Sequence, residues 1–308
     1  MMMKKPKALE KGSTVSVFAP ASPVEREALL QGVAQLESMG FRTRTSDLTL
    51  SRHHYFAGSH SERASELNRL FADPDVDAIF CARGGYGCLY LLPLLDPAII
   101  RSNPKVFLGY SDVTVLLQYL ERQARIICFH GPMVAREFAL GETAFNYTNF
   151  IECVTQRIGG IKVTAPNVET LHPGRAKGQL TGGCLSLLTA TLGTPHEIDT
   201  KGKILFLEDV NTKLYQIDRM LMQLKLAGKF SQVQGVVFGE MLNCSQNADN
   251  EYRLQEVIVD ILSEFRFPIL YGLSSGHTES NALTLPFGVE AQLDAEGKIL
   301  FLEEAAVV

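Results

Sequence analysis

Short apolar runs, each broken off by glycine, serine or an acidic residue and each followed by a helical pattern, recur along this chain. That rhythm is what most limits its fold. Residues 14–18, 77–82, 106–108, 203–207, 234–239 and 268–273 read as buried strands. Between them, Glu25–Met39, Ser59–Ala72, Leu185–Leu192, Lys213–Ala227 and Leu254–Phe265 carry apolar residues at helical spacing. Strands alternating with helices call for a mostly parallel sheet covered by helices, the α/β class. The pattern loosens between Phe138 and His172, where Gly159-Gly160 and Pro166 fall. The expected organisation is therefore a doubly wound, mostly parallel α/β domain over 1–150, a linker over 151–175, and a mixed α/β domain over 176–308 closed by a hairpin at 289–302. A polar loop runs through Asn250 before the last long helix.

The 308 residues suffice for two domains with cores of their own. Hydrophobic residues make up 46% and charged ones 20%, and the net charge of −5 comes with no dense Lys/Arg cluster. This argues against nucleic acid or an anionic membrane and for a small-molecule or peptide partner. The basic start, Met1 to Lys7, is followed by Ala-Leu-Glu-Lys-Gly and not by an apolar stretch, so the secretory pattern fails and a cytoplasmic protein is expected. No apolar run approaches a bilayer span. The six cysteines are scattered without a C-x-x-C pair and read as reduced, buried small residues.

The chemistry centres on residues 105–124, where a strand breaks at Gly109 and a helix resumes with Val113, Leu116, Leu117 and Leu120 on one face. Ser111 falls at the corner. It can be an exposed nucleophile beside the positive end of the helix, or a plain N-cap with Asp112 in the first turn. The strict hydrolase elbow would have Gly where this chain has Val113. Upstream, the strand at 77–82 runs into Arg83-Gly84-Gly85-Tyr86-Gly87, whose glycines let backbone N–H groups approach a ligand or an oxyanion. This loop fits neither a dinucleotide fingerprint nor a Walker loop, and a tight turn is its other reading. Gly183 belongs to a second Gly-rich turn able to line a cleft, and Glu240 ends a strand.

Glu208 and Asp209 end the strand at 203–207, on the rim where α/β proteins place functional side chains. Asp209 or Asn211 can cap the following helix, which leaves the Glu208 carboxylate otherwise unexplained. His130 ends a strand close after Ser111, but His277, in the small-residue loop Ser274-Ser-Gly-His-Thr, is the better general-base candidate. Ser111, Glu208 and His277 thus follow apolar strands in the order nucleophile, acid, histidine, as acyl-transfer chemistry would need. The N–H of Asp112 and one from Gly84 or Gly85 would bind the oxyanion.

Arg83-Gly-Gly-Tyr-Gly, Gly109-Tyr-Ser-Asp-x-Thr, His130-Gly-Pro-Met, Leu207-Glu-Asp, and Gly276-His277 ahead of Leu283-Thr-Leu-Pro-x-Gly together resemble the LD-carboxypeptidase family of serine peptidases over essentially the whole chain. The resemblance implies a cytoplasmic enzyme that trims terminal D-alanine from the tetrapeptide of recycled cell-wall muropeptides. It also implies two domains with the active site between them, a homodimer, and no metal or other cofactor. Ser111 would be the nucleophile, Glu208 and His277 the rest of the triad, and the Asp112 amide an oxyanion donor. An exopeptidase must also hold a free carboxylate, and Arg83 is the residue expected to do so, or else to form a structural ion pair. Tyr86, Gly183 and Glu240 are further candidates to line the pocket.

Other readings stay open at this point. Immunity-type members of the same family cleave peptidyl- or aminoacyl-adenylate analogues; the absence of Trp as an adenine platform leans toward the muropeptide. A non-catalytic binding module would not require all three triad residues. A metal hydrolase lacks H-E-x-x-H or clustered ligands here.

Overall fold

The protein is described from a computed structural model covering residues 3–244 and 252–308. Met1, Met2 and the part of the polar loop from 245 to 251 lie outside the described residues. The first half contains strands β1 (Thr14–Phe18), β2 (Arg42–Thr45), β3 (Ala78–Cys81), β4 (Val106–Gly109) and β5 (Cys128–His130). Helices α1 (Arg26–Ser38), α2 (His60–Ala72), α3 (Pro97–Ser102), α4 (Thr114–Tyr119) and α5 (Tyr147–Thr155) accompany them. The second half carries β6 (Ile161–Val163), β7 (Glu169–His172), β8 (Arg175–Cys184), β9 (Lys203–Glu208), β10 (Gly235–Gly239), β11 (Ile269–Leu273), β12 (Leu285–Phe287), β13 (Glu290–Asp294) and β14 (Ile299–Leu302). Its helices are α6 (Leu185–Ala190), α7 (Leu214–Leu226) and α8 (Leu254–Leu262).

Two sheets result. The first has the order β12-β5-β4-β3-β1-β2, with β1 to β5 parallel and β12 antiparallel on β5. Chain winding reverses at β1, going to β2 on one side and to β3 on the other, and the crevice at such a switch point is where α/β sheets take ligands. The second sheet is mixed, with the order β6-β14-β13-β8-β9-β10-β11-β7 and a parallel centre from β8 to β11. This is the two-sheet α/β architecture the strand rhythm predicts.

Strand β9 shows why its run is apolar at every position. Ile204 and Phe206 pack into the large core shared with the first sheet, while Leu205 and Leu207 point into a second core under α6, α7 and α8. Alternate side chains of one strand serve opposite faces, so both must be apolar when both are covered.

Two expectations are corrected. The stretch 151–175 is no free linker, because it holds the end of α5 and strands β6 and β7 of the second sheet. No strand is expected between 273 and 289, yet β12 lies there fully buried and returns to the first sheet. Pro286 sits in β12, and it is tolerated because β12 is the edge of its sheet.

Candidate active site

Ser111 follows β4 with a backbone φ of +64°. That left-handed conformation costs a residue with a Cβ about 1–2 kcal/mol. It also separates the two readings of the turn, because an N-cap is extended and its side chain bonds the first turn. Here the extended residue is Tyr110, and no side chain caps the helix. Asp112 is buried, and its carboxylate accepts the Cys88 amide at 2.8 Å, tying the Gly-rich loop to the serine turn. Burial raises the Asp112 carboxyl, against the lowering effect of that N–H.

The glycines at 84 and 85 are demanded by contact. A Cβ on Gly84 would lie 2.9 Å from Ser111 Cβ and 3.0 Å from its Oγ, so the Gly84 backbone rests on the serine. Gly85 has φ +115°, and a Cβ there would meet Ser22 Oγ at 2.2 Å. Arg83 to Gly85 follow β3 and Val24 follows β1, so this loop stands at the switch point of the first sheet.

The second half delivers the acid and the imidazole. Glu208 ends β9 with 0% exposure, and its Oε2 accepts both the His277 Nδ1–H at 2.7 Å and the His277 backbone N–H at 3.1 Å. An ionised carboxylate only accepts, so the proton in this contact belongs to Nδ1, and Nε2 is the nitrogen left to exchange a proton with the cleft. Gly276, at φ +81°, lets the loop wrap the acid, since a Cβ there would lie 2.7 Å from the Glu208 carboxyl carbon. Burial pushes the Glu208 carboxyl up, but the His277 charge and its hydrogen bond, together with His130, outweigh it and hold the group at about 2. His130 is fully buried on the other side: Nδ1 meets Ser275 Oγ at 3.1 Å and Nε2 faces Glu208 Oε1 at 3.9 Å. Ser275 gives its hydroxyl proton to the Leu283 carbonyl at 2.9 Å. His130 therefore flanks the acid and does not reach the serine cleft.

Ser111 and His277 line one cleft of about 420 Å³, with Tyr110, Arg83, Gly84 and Gly85 among its walls. The Tyr110 ring stands edge-on to the His277 imidazole, centroids 4.9 Å apart. The serine hydroxyl and the imidazole form no hydrogen bond among the described contacts, and such bonds commonly tighten when substrate binds.

Of the other expected residues, Arg83 lines the cleft with Nη1 on the Pro23 carbonyl at 3.2 Å. Tyr86, Gly183 and Glu240 do not line it. Tyr86 is exposed, with its N–H held by Ser22 Oγ at 3.1 Å. Gly183 is packed on Thr114, where a Cβ would sit 2.5 Å from Cγ2, and so serves close approach between the halves. Glu240 accepts the Glu279 amide at 3.3 Å. Neither Asp209 nor Asn211 caps the following helix, whose N-cap is Lys213; the Asp209 carboxylate instead accepts from Ser186 N–H at 2.9 Å, at the start of α6, and from Thr212 Oγ1 at 2.7 Å. The cleft also holds residues that the sequence did not single out, Tyr110 and Arg136 among them. Tyr110 lies inside the Gly109-Tyr-Ser-Asp motif, but Arg136 belongs to no pattern that would single it out. Among the described residues, no group of three or more His, Cys, Asp or Glu is placed to hold a metal ion, and no helix is long and apolar enough to cross a membrane.

A serine in a left-handed turn, sharing a cleft with an imidazole bonded to a buried carboxylate, is an arrangement of the serine-hydrolase kind. Residues 15–131 match the family profile described as the LD-carboxypeptidase N-terminal domain, and residues 177–293 match the C-terminal domain of the same family. The chain is 37% identical to the probable murein peptide carboxypeptidase of Bacillus subtilis, over 97% of its own length and 94% of that protein's. It is 31% identical to the microcin C7 self-immunity protein MccF of Escherichia coli, covering 95% and 94% of the two chains. The crystal structure of muramoyltetrapeptide carboxypeptidase from Oxalobacter formigenes superposes with a TM-score of 0.84 at 30% identity, over 95% of this chain and 99% of that one. This chain belongs to the LD-carboxypeptidase family of serine peptidases.

Proposed function

We propose that this protein releases terminal D-alanine from muropeptide tetrapeptides, through an acyl-enzyme on Ser111, as a cytoplasmic homodimer of the cell-wall recycling route. The observation that carries the reading is the Ser111 turn, strained at φ +64°, in one cleft with an imidazole whose partner carboxylate is wholly buried. His277 Nε2 takes the Ser111 proton as Oγ attacks the carbonyl of the L-configured residue before D-alanine. Glu208 keeps the imidazole in that tautomer and stabilises its charged form. The Asp112 amide and an amide of Gly84 or Gly85 receive the developing oxyanion. The imidazolium then gives its proton to the departing D-alanine amine, and water, deprotonated by the same nitrogen, releases the acyl group.

Support comes from the murein and muramoyltetrapeptide carboxypeptidases among its relatives. A second reading rests on the likeness to MccF, solved in complex with glutamyl sulfamoyl guanosine. Incubating purified protein with a muramoyl tetrapeptide and, separately, with an aminoacyl sulfamoyl adenylate separates the two. D-Alanine release from the first and no cleavage of the second is the expected result; the reverse selects the immunity-type activity.

A further inference from the structure

The cleft holds two arginines, and only one of them is held by a carboxylate. Arg83 is exposed and anchored to a single backbone carbonyl. Arg136 arises from the wide turn Val134–Phe138, and its Nε donates to Glu137 Oε1 at 2.9 Å. Glu137 is only 5% exposed, and the same carboxylate accepts the Tyr110 hydroxyl at 2.7 Å and the Met133 amide at 3.0 Å. The turn is fixed as well. Ala135 N–H donates to the carbonyl of Ala82, the residue before Arg83, at 2.8 Å. Helix α1 approaches so closely that a Cβ on Gly32 would lie 1.8 Å from the Val134 oxygen. Because Tyr110 precedes Ser111, the guanidinium and the nucleophile turn share one buried carboxylate.

With Nε taken by Glu137 and the Tyr110 hydroxyl beside the guanidinium, no second carboxylate holds the Nη groups of Arg136 among the described residues. The one acidic side chain in the lining, Glu25, is already paired with Arg52 at 3.0 Å. We propose that Arg136 is the residue that binds the free terminal carboxylate of the substrate and so restricts the enzyme to chain ends. A guanidinium presents paired N–H groups that match a carboxylate bidentately, and one already immobilised loses little further freedom on binding. Arg83, with no carboxylate to hold it, is then a second cation of the cleft and not the terminal anchor. This assignment rests on the carboxypeptidase reading.

The test compares kcat/KM for a muramoyl tetrapeptide ending in free D-alanine with that for its C-terminal carboxamide, in the wild type, Arg136→Ala, Arg136→Gln and Arg83→Ala. The wild type should prefer the acid by about 100-fold, the size expected of two charge-assisted hydrogen bonds. Arg136→Ala and Arg136→Gln should bring that preference close to one, mainly by raising KM for the acid, while Arg83→Ala keeps it. A ratio within one preparation is insensitive to the fraction folded, and the glutamine can still donate to Glu137. If the wild type cleaves and both Arg136 variants retain its preference, or if Arg83→Ala abolishes it, the assignment to Arg136 is wrong and the carboxypeptidase reading stands. A wild type that releases no D-alanine removes that reading and this assignment with it.

Discussion

Glu208 is a charge with no water around it, and its usefulness depends on the groups that replace that water. With the carboxyl held at about 2 by His277 and His130, against its burial, it stays ionised wherever the protein is folded. Its folded value lies below the ordinary 4.5, so the stability it contributes is complete above pH 4.5 and is lost as pH falls toward 2. In Glu208→Gln that loss should be missing from the acid-unfolding curve between those pH values. The same variant presents an amide that can donate toward Nδ1, which favours the wrong tautomer, so kcat should fall about 10³–10⁴-fold. Steady-state rates at neutral pH check this, and a loss under tenfold would mean that the carboxylate does not orient His277. Such roles were readable in part. Glu208 ends an apolar strand and His277 sits in a small-residue loop, places where a polar residue has no packing reason to be, whereas Arg136 gains its importance only from a turn clamped by α1 and the residue after β3, contacts that no local pattern encodes.

At the scale of the element, the unit of strand β4, left-handed turn and helix α4 is strained where it carries its hydroxyl. Glycine adopts positive φ without the Cβ clash, so Ser111→Gly should relieve about 1 kcal/mol that Ser111→Ala retains. The glycine variant should therefore melt about 2 °C above the alanine variant in a thermal scan, with both inactive. Equal melting temperatures would mean the turn relaxes in solution. Strands β1, β3, β4, β9, β10 and β11 were legible because continuous apolar runs bounded by turn residues have few other homes. Strand β12 was not, since its proline removes a ladder donor and only an edge position makes it admissible. Strand β7, Glu169–His172, has no residue buried enough to show an alternation and is held by its pairing with β11.

Across the whole molecule, the two halves are registered by a buried polar network running from the end of the nucleophile helix to the sheet that carries Glu208. Gln118 Nε2 donates to the Gly182 carbonyl at 2.8 Å, Thr181 Oγ1 donates to Glu121 Oε2 at 2.6 Å, and Lys203 pairs with the other Glu121 oxygen. Removing Glu121 strands the largely buried Lys203 ammonium, so Glu121→Ala should destabilise by about 3–5 kcal/mol, while Glu121→Met combined with Lys203→Met should recover much of it. Denaturant unfolding measures both. The central claim is that a serine from one half and an imidazole from the other act as one unit, and such units are non-additive. The most direct measurement is the rate of D-alanine release by Ser111→Ala, His277→Ala and the double variant. The account predicts that the double variant is no slower than either single one. Losses that multiply, or a Ser111→Ala protein as fast as the wild type, would contradict it.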